Sequence, residues 1–217
     1  MKKSLFLFLL LCIPFWATAQ WSVRAYAGGG FAYETANEVL QNNYSKVEQN
    51  QLQYGDYGYT FQGGINAQYF ISRKFGFGTG LGYQYSKTSG FISTPPPEGT
   101  NWHSESFKIP FNLLWSPGKM HHSFFNIGLS THFNLMKRYV VNYKTNYQYP
   151  VFSSVQLGYT HKLGEQFQLG IQFEKDLGWY SRTAYYETNT TSIDPRYFTS
   201  LQIIFSYRLF GKDGKKK

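Results

Sequence analysis

Ser130-Thr131-His132 sets a hydroxyl and an imidazole two residues apart, which places both on one face of an extended strand. They are two parts of a nucleophile–base pair, and a carboxylate within reach would be needed to orient the imidazole. Asn126 and Gly128 fall on the same face. That face is small and polar, so the pair is expected to be a structural hydrogen bond, and no catalytic residue is assigned. His121-His122 stand together in a turn-like stretch. A structural zinc takes four ligands and no further ligand accompanies them, so neither a metal nor another cofactor is expected. The remaining candidates are charges: Arg24, Lys108, Glu174, Asp176 and Arg208 alternate along the chain with bulky apolar neighbours. Buried charges of this kind persist only when paired or hydrated.

The elements that must position these side chains are written in the composition. The chain has 217 residues, 20% aromatic and only 15% charged, with 21 glycines. Disordered chains have few aromatics and much charge, and soluble domains carry roughly 25% charged residues. Mean hydropathy is −0.41, and beyond the N-terminus no apolar run reaches the ~18 residues of a membrane helix. Alternation with period two is clear instead. In Phe75–Ser86 one face carries Phe75, Phe77, Thr79, Leu81, Tyr83 and Tyr85, and the other carries four glycines, Gln84 and Ser86. A small, neutral face opposite a bulky apolar one suits a crowded lumen surrounded by lipid.

Eight such segments are expected, near Trp21–Tyr33, Tyr57–Ile71, Phe75–Lys87, Ser104–Trp115, Ser123–Met136, Pro150–Leu163, Gln166–Trp179 and Arg196–Phe210. Long polar connectors follow the odd-numbered segments: Glu34–Asp56, Thr88–His103, Lys137–Tyr149 and Tyr180–Pro195. Short turns follow the second, fourth and sixth. This alternation predicts an all-β fold, an eight-stranded antiparallel up-and-down transmembrane β-barrel. A soluble β-barrel or sandwich is the rival reading. Pro110 falls within the fourth segment, where its missing donor predicts a bulge or a local break.

The N-terminus reads as an export signal over residues 1–19: Lys2-Lys3, an apolar Leu5–Phe15 and Ala17-Thr18-Ala19 before Gln20. The one cysteine, Cys12, lies inside it, so no disulfide is expected. Residues 20–210 are then the barrel, and 211–217 a basic periplasmic tail with four lysines and one aspartate. Formal net charge is +9, but an exported barrel does not meet nucleic acid, so none is expected as a partner. Lys137, Arg138 and Lys144 gather in the third long connector, where basic side chains suit lipopolysaccharide phosphates.

The stretch Ser106-Phe107-Lys108-Ile109-Pro110-Phe111-Asn112-Leu113-Leu114 resembles the fourth-strand Ile-Pro-x-x-Leu motif of the PorT-like, OmpA-like outer-membrane β-barrels of Bacteroidota-type bacteria. Gly28-Gly29-Gly30 in the first segment and the Phe-Gly-x-Gly third segment extend the resemblance. It implies the bacterial outer membrane, with both termini periplasmic. The last segment, with Phe205, Tyr207 and Leu209 alternating before Phe210, looks like the signal read by the barrel-insertion machinery. The function expected is structural or surface-binding, without an open pore. The alternatives are a PorT-like accessory of protein secretion or surface assembly, a lipid-A-modifying enzyme, or a small porin.

Two groups of residues carry the remaining expectations. Tyr143, Tyr147, Tyr185 and Tyr186 stand in the long connectors, offering flat surface with a polar tip to an unidentified extracellular ligand. In the lumen each residue climbs about 2.5 Å along the axis of a tilted strand. Counting from the strand ends puts Lys108, Glu174 and Asp176 at one level, roughly 20–25 Å above the short-turn end. A cross-lumen ion pair between Lys108 and Glu174 or Asp176 is therefore expected, as a plug. Arg24 and Arg208 lie lower, near water or within reach of Glu165.

Overall fold

The computed structural model describes residues 20–42, 52–72, 74–92, 98–117, 122–135, 138–141, 144–178, 181–187 and 190–211. They form eleven strands: β1 (Gln20–Asn42), β2 (Leu52–Phe70), β3 (Phe75–Ile92), β4 (Glu98–Trp115), β5 (Ser123–Asn134), β6 (Arg138–Val141), β7 (Lys144–Gln148), β8 (Val151–Leu163), β9 (Phe167–Asp176), β10 (Ser181–Glu187) and β11 (Thr190–Gly211). Eight of them, β1 to β5, β8, β9 and β11, are staves. Each pairs antiparallel with the next, and β11 pairs back onto β1. The result is a closed eight-stranded antiparallel β-barrel. The short strands β10, β7 and β6 pair in that order beyond β11.

Stepping sideways along the pairings from Ser22 passes Gln68, Gly78, Asn112, Gly128, Gln156, Glu174 and Ser200. It returns to β1 at Ala32, ten residues further on. With ~4.8 Å between staves and ~3.3 Å per residue, that stagger tilts the strands by about 40°. The same path traces the inner wall. Its residues are polar or small because eight staves leave an interior just wide enough for side chains.

The outer wall is the opposite set. Phe61, Ile65, Leu81, Tyr83, Ile127, Leu129, Leu157, Leu169, Ile171, Leu201 and Ile203 all point outward and are exposed, Ile203 by 61%. An apolar belt that encircles the molecule is far larger than a soluble surface tolerates, and it is stable in lipid. Aromatic pairs mark its short-turn edge, with Trp115 on Phe125 and Phe125 on Tyr159, and Tyr33 on Tyr57 marks the other.

Several strands outrun the lengths expected from alternation. β1 continues to Asn42, β2 begins at Leu52, β4 at Glu98 and β11 at Thr190. The connectors Glu34–Asp56, Thr88–His103 and Tyr180–Pro195 are thus partly strand. Alternation of apolar residues ends where lipid ends, but ladder hydrogen bonds join backbones whatever the side chains are. The β1–β2 register accordingly runs unbroken from Gln20↔Phe70 to Glu38↔Leu52. At Pro110 the ladder to β3 lapses between Thr79↔Phe111 and Gly82↔Lys108 without a change of register. Pro110 therefore makes a local break and no bulge. A register shift lies instead at Val23/Arg24, on the seam between β1 and β11. Residues 1–19 and 212–217, on which the expected signal and most of the expected tail fall, lie outside the described residues.

Candidate functional site

The inward faces of β4, β5, β8 and β9 converge on one carboxylate. Lys108 Nζ of β4 donates to Glu174 Oε2 of β9 at 2.7 Å, with both side chains buried. It also donates to Gln62 Oε1 at 3.0 Å. Glu174 Oε1 lies 2.9 Å from His132 Nε2 of β5 and accepts from Ser154 Oγ of β8 at 2.5 Å. Because the carboxylate only accepts, His132 Nε2 carries a proton, and Nδ1 lies 3.3 Å from Ser106 Oγ. The imidazole stacks on Phe152 with centroids 4.4 Å apart. Four staves are tied together through Glu174.

Asp176 does not join Lys108; its Oδ2 accepts from the Phe198 backbone N–H at 3.0 Å. Ser130 and His132 share a face but are not bonded to each other. His132 bonds to Ser106, Ser154 and Glu174, while Ser130 Oγ is a buried atom without a hydrogen-bond partner. The expected Ser130–His132 pair is therefore replaced by a cross-lumen set. No carboxylate stands on the strand that carries His132, Ser123–Asn134. Glu174 reaches His132 from β9, two staves away across β8, because a narrow lumen brings together residues of one height on different strands. Lys108 and His132 pair in register, which sets the imidazole beside the ion pair.

Hydroxyl, imidazole and carboxylate are here the parts of a nucleophilic triad. The arrangement is unsuited to attack. Glu174 is already bonded to Lys108, and Ser106 and His132 are 3% and 1% exposed. Above them Ala32, Phe198 and Phe152 pack together. A gap of about 10 Å³ beside Ser106 has room for about one water and not for a substrate. What the set does chemically is hold an ion pair across a low-dielectric lumen with its lone pairs satisfied.

At the short-turn end Phe70, Leu114 and Phe124 form a second apolar cluster. Arg24 is buried and donates to Gln166 O at 3.0 Å, while Arg208 approaches exposed Glu165 at 3.8 Å. On the outer wall Ser123 Oγ lies 2.8 Å from His161 Nδ1 and accepts from Tyr159 Oη. Among the described residues no group of three His, Cys, Asp or Glu could hold a metal ion. Tyr143 and His121 lie outside the described residues. Tyr147 belongs to β7, and Tyr185 and Tyr186 to β10.

Residues 18–186 match the family model described as outer membrane protein beta-barrel domain. A comparison with curated proteins finds no match. Among solved structures the chain is similar to the outer membrane protein OprG from Pseudomonas aeruginosa, at 12% identity and TM-score 0.49, over 88% of this chain and 97% of that one. It is also similar to Neisserial surface protein A, at 10% identity and TM-score 0.42, over 85% and 97%. The attachment invasion locus protein Ail of Yersinia pestis is similar at 9% identity and TM-score 0.33, over 87% and 99%.

Proposed function

The chain belongs to the outer membrane protein β-barrel domain family, and on that premise we propose that it is a closed barrel that anchors a binding surface in the outer membrane. It is neither a pore nor an enzyme. The observation that carries this reading is the lumen: the buried Lys108–Glu174–His132 set crosses it between apolar clusters above and below. Nothing of solute size passes such an interior, and the machinery of a triad is consumed in holding the walls together.

Both termini then face the periplasm and the long connectors face outward. Strand extension supports this direction, since β1, β2, β4, β10 and β11 run past the apolar belt at the long-connector end, as outer loops do. Tyr143, Tyr147, Tyr185 and Tyr186 supply the surface for an extracellular ligand, and basic Lys137, Arg138 and Lys144 meet lipopolysaccharide at the rim. The β11 pattern of Phe205, Tyr207 and Leu209 engages the barrel-insertion machinery during assembly. The PorT-like motif around Pro110 favours a second reading, an accessory of secretion or surface assembly.

A deletion strain tests these together. Unchanged lipid A mass spectra and solute influx, with an altered cell-surface binding property restored by the wild type and not by the four Tyr→Ala changes, are the expected results. Secreted proteins trapped inside the cell would favour the accessory reading, and altered lipid A would favour an enzyme.

A further inference from the structure

The charges inside the barrel are sorted by height. Glu34, Glu174 and Asp176 lie buried toward the long connectors, whereas Arg24, Lys162 and Arg208 face inward at the short-turn end. Arg24 and Lys162 are 1% and 8% exposed. The three cations come from β1, β8 and β11 and meet around the start of β9. Arg24 Nη1 donates to Gln166 O at 3.0 Å, and the Arg208 backbone N–H donates to the same carbonyl at 2.8 Å. Lys162 pairs with Gln168 in register, and the Gln168 amide, turned with its oxygen toward Arg24, accepts from Nε at 3.2 Å. Among the described residues the carboxylate at this end is Glu165, 94% exposed and 3.8 Å from Arg208. Three inward cations against one solvated carboxylate leave this end of the lumen positive.

The seam brings two of these cations together. Val23 pairs with Phe210 and Arg24 with Arg208, so the register shift there passes over Leu209. Leu209 and Phe210 both stay exposed on the outer wall, and the shift is what turns Arg208 inward, directly opposite Arg24. Like charges directly opposite one another destabilise a ladder, and bulges recur beside functional sites because they re-aim a side chain. A bulge that sets two guanidinium groups side by side in a low-dielectric lumen points to an anion between them. Room for one is present. A cavity of about 70 Å³ reaches Arg24, Gln168 and Ser206, several times the ~10–15 Å³ that one water centre needs.

We propose that the short-turn mouth of the lumen binds a phosphate-class oxyanion, held by Arg24 and Arg208 with Lys162 as the third charge. Guanidinium forks match two oxygens of a tetrahedral oxyanion, and an ammonium adds a point charge. A spherical halide does not use the fork geometry. Phosphate reaches this mouth either as the free ion or as the headgroup of a lipid in the leaflet at that end, and the group recognised is the same. This inference rests on the closed barrel and not on the anchoring role.

The test is calorimetric titration of the full-length protein, folded in maltoside micelles that contain no phosphorus. The titrants are inorganic phosphate, short-chain phosphatidylglycerol and chloride, at matched ionic strength. Saturable one-site binding of phosphate is expected. Arg24→Gln and Arg208→Gln should each weaken it at least about tenfold, the worth of one charge-assisted hydrogen bond. Lys74→Gln, in the exposed turn at the same end, should leave it unchanged. Saturation by phosphatidylglycerol and not by free phosphate would uphold the site and make the headgroup its source. Equal affinity for chloride, no saturable binding, or arginine variants that bind as the wild type does would overturn the proposal. Where the arginine variants do not reach the unheated gel mobility of the folded barrel, the urea midpoint of the wild type decides. It should rise with the bound titrant and not with chloride, and an equal rise would overturn the proposal. The anchoring role is read from surface binding in cells, so either can fail while the other stands.

Discussion

Glu174 accepts hydrogen bonds from three staves other than its own, through Lys108, His132 and Ser154. Breaking a buried ion pair by removing one partner costs about 3–5 kcal/mol, because the other charge is stranded. Lys108→Met should therefore destabilise the folded barrel by that amount in urea titrations from lipid vesicles. Lys108→Met combined with Glu174→Gln should cost distinctly less, since no charge is left alone. Equal costs for the single and double variants would mean that the pair is not coupled. The levels of Lys108 and Glu174 follow from strand direction and rise per residue, so their meeting was legible. The choice of Glu174 over Asp176 was not. One residue pair further up its strand, Asp176 comes beside the Phe198 backbone N–H, a contact that depends on where β11 crosses.

The staves were legible as elements because lipid on one side and a crowded lumen on the other force strict alternation. Their ends were less so, since the ladder outlasts the apolar pattern. Two predictions belong here. Ile203 pairs with Ile171 and Gly29 in the outward belt, so Ile203→Arg should cost about 2–4 kcal/mol near the midplane. Leu169→Arg tests the neighbouring stave in the same way. A cost near zero for both, read from the same titrations, would contradict lipid exposure. At the seam, a Cβ on Gly30 would lie 2.0 Å from the Leu201 carbonyl oxygen. That atom is backbone and cannot swing aside, so Gly30→Ala should force β1 and β11 apart. The cost expected is about 1–3 kcal/mol, with a smaller folded fraction on unheated gels. An unchanged fraction would show that the seam is loose.

As a whole molecule the barrel is apolar outside and polar inside, with the buried Lys108–Glu174 pair and two apolar clusters set in its lumen. Fold and membrane placement are written in composition and periodicity, because every stave must satisfy the same two environments. The lumen amides were not legible as a group. Gln62, Asn112 and Gln156 come from β2, β4 and β8 and line one cavity, yet each reads in sequence as one more small or polar inward residue. The closure predicts that Lys108→Met with Glu174→Gln, if it folds, still does not conduct, since Phe70, Leu114 and Phe124 remain. The measurement that tests the central claim most directly is single-channel recording of the refolded full-length protein in planar bilayers. A filled lumen predicts that current stays at the level of the bare bilayer. Large, steady conductance steps would contradict it and make the protein a pore.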